Sequence, residues 1–158
     1  NGAWPQQYTQ FPDPTDFPVS KARFPDSWRR TYERSSYSRF YTLNDNTISD
    51  LIELMLTAHA VYGDDRSLAA ARRGGDFLLL AQLPEPQPGW AQQYNTDMEP
   101  AWARKFEPPA VTGGESQNVM ATLMTLYDRT GDGKYLKPIP RAIEYYQSLE
   151  LENGQLAR

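Results

Sequence analysis

Apolar residues recur at three- and four-residue steps in four stretches of the chain, and nowhere else is a period sustained. In LNDNTISDLIELMLTAHAVYGDD the positions Ile48, Leu51, Ile52, Met55, Ala58 and Val61 fall on one helical face, with Asn44 or Asp45 as the capping residue and Gly63 as the stop. A second helix is expected from about Ser67 to Gln82, carrying Leu68, Ala71, Phe77, Leu78 and Ala81, tolerating Gly74–Gly75 in its middle and ended by LPEPQPG. A third runs from about Glu115 to Arg129 on Val119, Met120, Leu123, Met124, Leu126 and Tyr127, closed by TGDG. The fourth covers roughly Tyr135–Leu149, and Pro138 and Pro140 fit only in its first turn. Residues 1–41 hold five of the 13 prolines and no period, so they read as loop, and 89–113 return to irregular chain.

The halves repeat. YGDDRSL at 62–68 aligns with TGDGKYL at 130–136, an offset of 68 residues from Gly63 to Gly131. The words NGAWPQ (1–6), PGWAQ (88–92) and NGQLAR (153–158) mark successive returns, so WPQQY at Trp4–Tyr8 and WAQQY at Trp90–Tyr94 are the loops that enter each helical hairpin. Hairpins of this kind bury their apolar faces only against one another, which predicts an all-α fold, an α/α toroid or solenoid with long irregular loops. The expected organisation is one domain over 1–158, loop-rich over 1–41 and built of helical hairpins over 42–150. Return loops would gather at one end of such a toroid around a shared cleft. In this register Trp4, Trp90 and Leu156 are equivalent, as are Gln6, Gln92 and Arg158, and NDN at 44–46 corresponds to GGE at 113–115. Asp45 or Asn46 and Glu115 would then each sit at the start of an inner helix, where the helix dipole favours an acid and where a plain capping role is the alternative.

Composition narrows the chemistry. The 158 residues are 39% hydrophobic with a net charge of −4, and the aromatic content of 4 Trp, 10 Tyr and 6 Phe suits surfaces that are wet at one end and apolar at the other, as sugar clefts are. The acidic balance and the lack of a lysine-rich stripe argue against nucleic acid as a partner. No cysteine is present, which removes disulfides, thiol catalysis and thiolate metal sites, and no run approaches 18 apolar residues. His59 is the only histidine, so no histidine-based triad or zinc cluster can be assembled. GDDRS and GDGK lack the remaining positions of a calcium loop and read as turns, and Met55, Met120 and Met124 read as core.

The segments NGAWPQ, LND (43–45), WAQQYNTDMEPAWARKFEPP (90–109), TGGES (112–116) and NGQLAR together resemble the polysaccharide lyase family 10 pectate lyases, the pectic acid lyase family. The likeness extends over nearly the whole chain, and WARKFE and GES are its specific parts. It implies a secreted or periplasmic α/α-toroid enzyme that cleaves de-esterified homogalacturonan, an acidic polysaccharide, by calcium-assisted β-elimination, and it implies that this chain is a piece lacking elements on both sides. The resemblance makes Arg158 the candidate base and Asp45 the cleft aspartate that serves substrate or calcium. Asn44, Asn46, Trp90, Gln93, Tyr94 and Arg104 are the candidate sugar contacts, and Glu115 is a second candidate calcium ligand beside Asp45. Arg104 and Glu107, three apart, can alternatively pair with each other, and Trp90 and Trp102 can alternatively pack in the core. The chain departs from the family's W-x-A-Q-H-D loop, having Gln93 and Tyr94 where histidine and aspartate are expected, with Asp97 nearby as a substitute. Two other classes compete: a non-catalytic or degenerate uronan-binding module, and an α/α-toroid glycoside hydrolase using Asp45 and Glu115 as its two carboxylates.

Overall fold

A computed structural model describes residues 2–4, 19–34 and 40–151. Helices dominate it: α1 spans Thr47–Tyr62, α2 Asp65–Ala81, α3 Gly113–Thr130 and α4 Ile139–Ser148, with short 3-10 turns at Asn44–Asn46 and Gly133–Leu136. Two helical hairpins result, α1–α2 and α3–α4, and their turns are built alike. Gly63 and Gly131 close α1 and α3 in the left-handed region at φ 67° each, donating backbone N–H to His59 O and Tyr127 O. The aspartate after each glycine caps the succeeding helical element: Asp64 accepts from Arg66 N, and Asp132 accepts from Lys134 N. The sequence repeat is thus a repeat of hydrogen bonds. The fourth helix starts later than its pattern suggests, because Pro138 and Pro140 divide the stretch into the 3-10 turn and α4.

The core lies where α1, α2 and α3 meet. Ile48 and Ile52 of α1, Phe77 and Leu78 of α2, Leu123 and Leu126 of α3 and Tyr135 are fully buried, each such side chain contributing roughly 1.5–3 kcal/mol. Gly74 and Gly75 sit inside this contact. A Cβ on Gly74 would lie 2.6 Å from the Trp4 ring, and one on Gly75 2.5 Å from Leu126, so the pair admits neighbours that any side chain would exclude. Expectations for Val61 and Met124 do not hold: Val61 is 65% and Met124 47% exposed, on the sides of α1 and α3 turned from this core.

The structure adds a small sheet that the periodicity did not suggest. Strand β1 (Tyr41–Thr42) pairs antiparallel with β2 (Gln93–Tyr94), with Tyr41 opposite Tyr94 and Thr42 opposite Gln93. Bridges from Ala91 to Val111 and from Tyr94 to Pro100 extend it into the following loop. Two-residue strands are too short for an alternating pattern to register in sequence.

Candidate functional site

The loops at 41–46, 90–94 and 100–107 are sewn together by backbone hydrogen bonds. Leu43 N and Asn44 N both donate to Gln92 O (2.8 and 3.1 Å), and Ala101 N donates to Gln93 O at 3.0 Å. Beneath this platform lie the aromatic anchors. The Trp90 indole N–H donates to Leu78 O at 2.8 Å, and the Trp90 backbone N–H is held by Ser116 Oγ at 3.0 Å. The Tyr94 hydroxyl donates to Ala81 O at 2.6 Å and accepts from Ala91 N at 2.7 Å. Tyr146 fastens the same corner from α4, its hydroxyl hydrogen-bonded to Thr112 O and Ser116 Oγ, and burial pushes its pKa up to about 12.

On this platform the segment Asn44–Asn46 meets Arg104 and Glu107. Asp45 and Asn46 both adopt left-handed backbone (φ 55° and 58°), a conformation that asparagine and aspartate tolerate better than other non-glycine residues but that still stores strain. Arg104 makes a bidentate pair with Glu107, and its Nη2 lies 3.5 Å from Asp45 Oδ2. Asn44 Nδ2 donates to Glu107 Oε1 at 3.0 Å, so one carboxylate joins two loops that are 63 residues apart in sequence. Glu107 is the buried member, with 9% of its side chain exposed, whereas Arg104 is at 34% and Asp45 at 62%. The Asn44 amide oxygen is buried without a hydrogen-bond partner. The arrangement therefore presents a guanidinium and a carboxylate to solvent over a neutralising buried acid. Such a surface can hold a carboxylate on Arg104 and a hydroxyl on Asp45.

Asp45 and Arg104 come together at this corner, and Asn46 is exposed beside them, its side-chain oxygen accepting from Asn118 Nδ2 at 3.1 Å. Asn118, which also donates to Ser49 Oγ, was not singled out in the sequence because an asparagine inside an amphipathic helix carries no signal of its own. Trp90, Gln93 and Tyr94 are corrected: their side chains are buried at 0%, 2% and 0% exposure, and Gln93 Nε2 donates to Ala101 O. They present no face to a sugar and instead hold the platform. The phenol at Tyr94, which stands where an aspartate was expected, is spent on two backbone groups. Asn44 is likewise interior, so it meets Glu107 and not solvent. Arg104 and Glu107 do pair, without removing Arg104 from Asp45.

The capping expectation is also revised, since α1 is capped at Asn46 with no side-chain cap bond and Asp45 lies before the helix. Glu115 stands in the first turn of α3 and accepts from the Thr112 hydroxyl. Arg158, Gln6 and Leu156 lie outside the described residues. Calcium takes six to eight oxygen ligands, usually with several carboxylates. Among the described residues no group of three or more acidic or histidine side chains could hold a metal. Glu107 is committed to Arg104 and Asn44, and Asp45 has a guanidinium beside it, so the described donors do not fit calcium.

Helical hairpins packed side by side, with return loops carrying an exposed acid and arginine at one end, define a helical toroid-type scaffold. A model of the pectic acid lyase family matches residues 1–158, and the chain belongs to that family. Among solved structures it is similar to an aspartate-to-alanine mutant of a family 10 polysaccharide lyase from Cellvibrio cellulosa in complex with trigalacturonic acid, at 22% identity and TM-score 0.65, over 94% of this chain and 43% of that one. It is also similar to cellobiose 2-epimerase from Spirochaeta thermophila, at 15% identity and TM-score 0.55, over 85% of this chain and 38% of that one. The chain thus spans less than half the length of either. No curated protein matches the sequence.

Proposed function

We propose that this chain acts in the cleavage of polygalacturonate by β-elimination, with the uronate received at Asp45 and Arg104. The observation that carries the reading is the convergence of those two residues on an exposed, backbone-strained corner backed by a buried glutamate. Membership of the pectic acid lyase family supports it, as does the trigalacturonic acid held by the Cellvibrio enzyme.

Elimination removes the proton on C5, which is α to the uronate carboxylate. That proton is too weakly acidic while the carboxylate keeps its full charge, so a cation must offset the negative charge that grows on it. Arg104 supplies this charge in the scheme, oriented by Glu107. As the base takes the C5 proton, the electron pair forms the C4–C5 double bond, the C4–O4 bond breaks, and the leaving oxygen acquires a proton. Arg158 is the base assigned by resemblance, acting as a neutral guanidine where neighbouring cations disfavour its charge. Calcium is expected from the same resemblance, and its ligands would have to include groups other than the described side chains. Polymeric galacturonan does not cross a membrane, which is the ground for proposing a secreted or periplasmic location. No helix among the described residues is long and apolar enough to span one.

The test is incubation with polygalacturonate while following the absorbance of unsaturated ends. The expected result is a signal that Asp45→Asn and Arg158→Gln abolish while the fold persists by circular dichroism. Saturated ends alone would replace elimination with hydrolysis and overturn the proposal. A second reading, uronan binding without turnover, is favoured by the burial of Gln93 and Tyr94 where the resemblance carries a histidine and an acid. It predicts retention on a polygalacturonate affinity gel with no absorbance change.

A further inference from the structure

The segment 19–34 is charged against the trend of the molecule. It carries Lys21, Arg23, Arg29, Arg30 and Arg34 against Asp26 and Glu33 in a chain of net charge −4, and all five cationic residues are exposed. Its exposed tryptophan, Trp28, is 49% accessible and lines a hollow of about 300 Å³ between this segment and residues 95–109. Arg29, Phe40, Asn95, Trp102 and Pro109 share the walls. A second hollow, of about 290 Å³, shares Trp28, Pro100 and Pro109 with the first and is also lined by Gln87 and Val111. Both sit at the lower end of the range typical of small-ligand sites, roughly 300–1,000 Å³.

Trp102 on the wall of the hollow stands two residues before Arg104 of the Asp45 corner. The Tyr32 ring lies 5.9 Å from the Trp102 ring, and the Tyr32 hydroxyl donates to Ala103 O at 3.5 Å, next to Arg104. The one acid on the wall, Glu99, is already compensated: Arg23 Nη2 lies 2.6 Å from it, and Asn95 Nδ2 donates to it. Among the described residues Arg29 makes an exposed i,i+4 pair with Glu33 at 3.4 Å, which a competing carboxylate can displace.

We propose that this hollow is a further subsite for an acidic sugar chain, with the Trp28 ring as a stacking platform and Arg29 and Arg30 as carboxylate partners. It receives units of the same polymer beyond those at Asp45, and so rests on the galacturonan reading. An aromatic face matches the apolar face of a sugar ring. A guanidinium fork matches a carboxylate. Neutral sugars would gain only the first of these, so the subsite selects uronate-bearing chains.

The test is calorimetric titration of the wild type, Trp28→Ala, Trp28→Phe and Arg29→Gln/Arg30→Gln with tri- and hexagalacturonate, a neutral galactose oligomer and a single-stranded DNA oligomer. Trp28→Ala is expected to weaken hexamer binding about tenfold and trimer binding far less, with Trp28→Phe restoring most of it. The double arginine variant is expected to weaken hexamer binding and flatten its salt dependence. Equal hexamer affinity in wild type and Trp28→Ala overturns the subsite while leaving the Asp45 corner standing. Absence of any galacturonan binding by the wild type overturns both, and equal affinity for DNA or the neutral oligomer overturns the assignment to an acidic sugar.

Discussion

Glu107→Gln isolates the buried carboxylate that joins the two site loops. Glu107 accepts from Arg104 Nε and Nη2 and from Asn44 Nδ2. Glutamine keeps the volume and one acceptor oxygen, enough to retain Asn44, but it turns an N–H group toward the guanidinium and removes the charge. Hydrogen bonds to charged groups are worth about 1.5–3 kcal/mol each, and breaking a fully buried pair costs about 3–5 kcal/mol. The Arg104 side chain is 34% exposed, so water recovers part of the loss. The net expectation is about 2 kcal/mol, or about 4–8 °C in Tm for a domain of this size. Thermal unfolding by circular dichroism measures it, alongside trigalacturonate affinity. Binding should weaken with stability, because Arg104 is no longer aimed at the Asp45 side. A double-mutant cycle with Arg104→Gln should show non-additivity of about 1 kcal/mol or more. A Tm within about 1 °C of wild type, with unchanged affinity, would refute the fastening role.

Other residues carry their own expected outcomes. Asp45→Gly relieves a left-handed φ of 55° and should raise stability by about 0.5–1 kcal/mol while abolishing uronate handling, so denaturant midpoint and sugar affinity move in opposite directions. Tyr94→Phe strands Ala81 O and Ala91 N in the interior and should cost about 2 kcal/mol, read as a lowered denaturant midpoint. The same buried phenols set the alkaline limit. The folded pKa of Tyr146 is raised from 10.0 to about 12, chiefly by burial, so its contribution is fully present below pH 10 and is lost as pH rises toward 12, visible as a falling unfolding midpoint in that window. Calcium titrated into the protein without sugar should bind with a Kd of about a millimolar or weaker, and a micromolar site would show that ligands outside the described cluster complete a cage.

The helical hairpins were legible because each leaves a chemical trace on the chain. Apolar spacing marks the buried faces of α1 to α4, and the Gly-Asp pairs at 63–64 and 131–132 mark their turns, where glycine takes the left-handed position and aspartate caps the next element. The tryptophan words were legible as a repeat but misleading as a site. Trp4 packs by Gly74 and Trp90 bonds to Leu78 O, so the two rings sit one turn apart along the same helix. A repeated loop word in a stacked architecture records what the scaffold needs at each return, and that need is first an aromatic packed against the helix.

At the centre of the site Asp45 differs from its register equivalent, a glycine in GGE, whereas WARKFE at 102–107 is echoed by WRRTYE at 28–33. The usable signal at 44–46 was Asn-Asp-Asn itself, three residues of the two types that best accept positive φ, placed where a helix should simply have begun. Two left-handed residues in succession turn the Asp45 carboxylate out of the helix start and toward Arg104. The strain is held by contacts at both ends, Asn44 on Glu107 and Asn46 on Asn118. Neither contact has a sequence period, because each joins chain segments more than sixty residues apart. That is why the helices could be read from local pattern, while the pairing of Asp45 with Arg104 became visible only through the fold that brings their loops together.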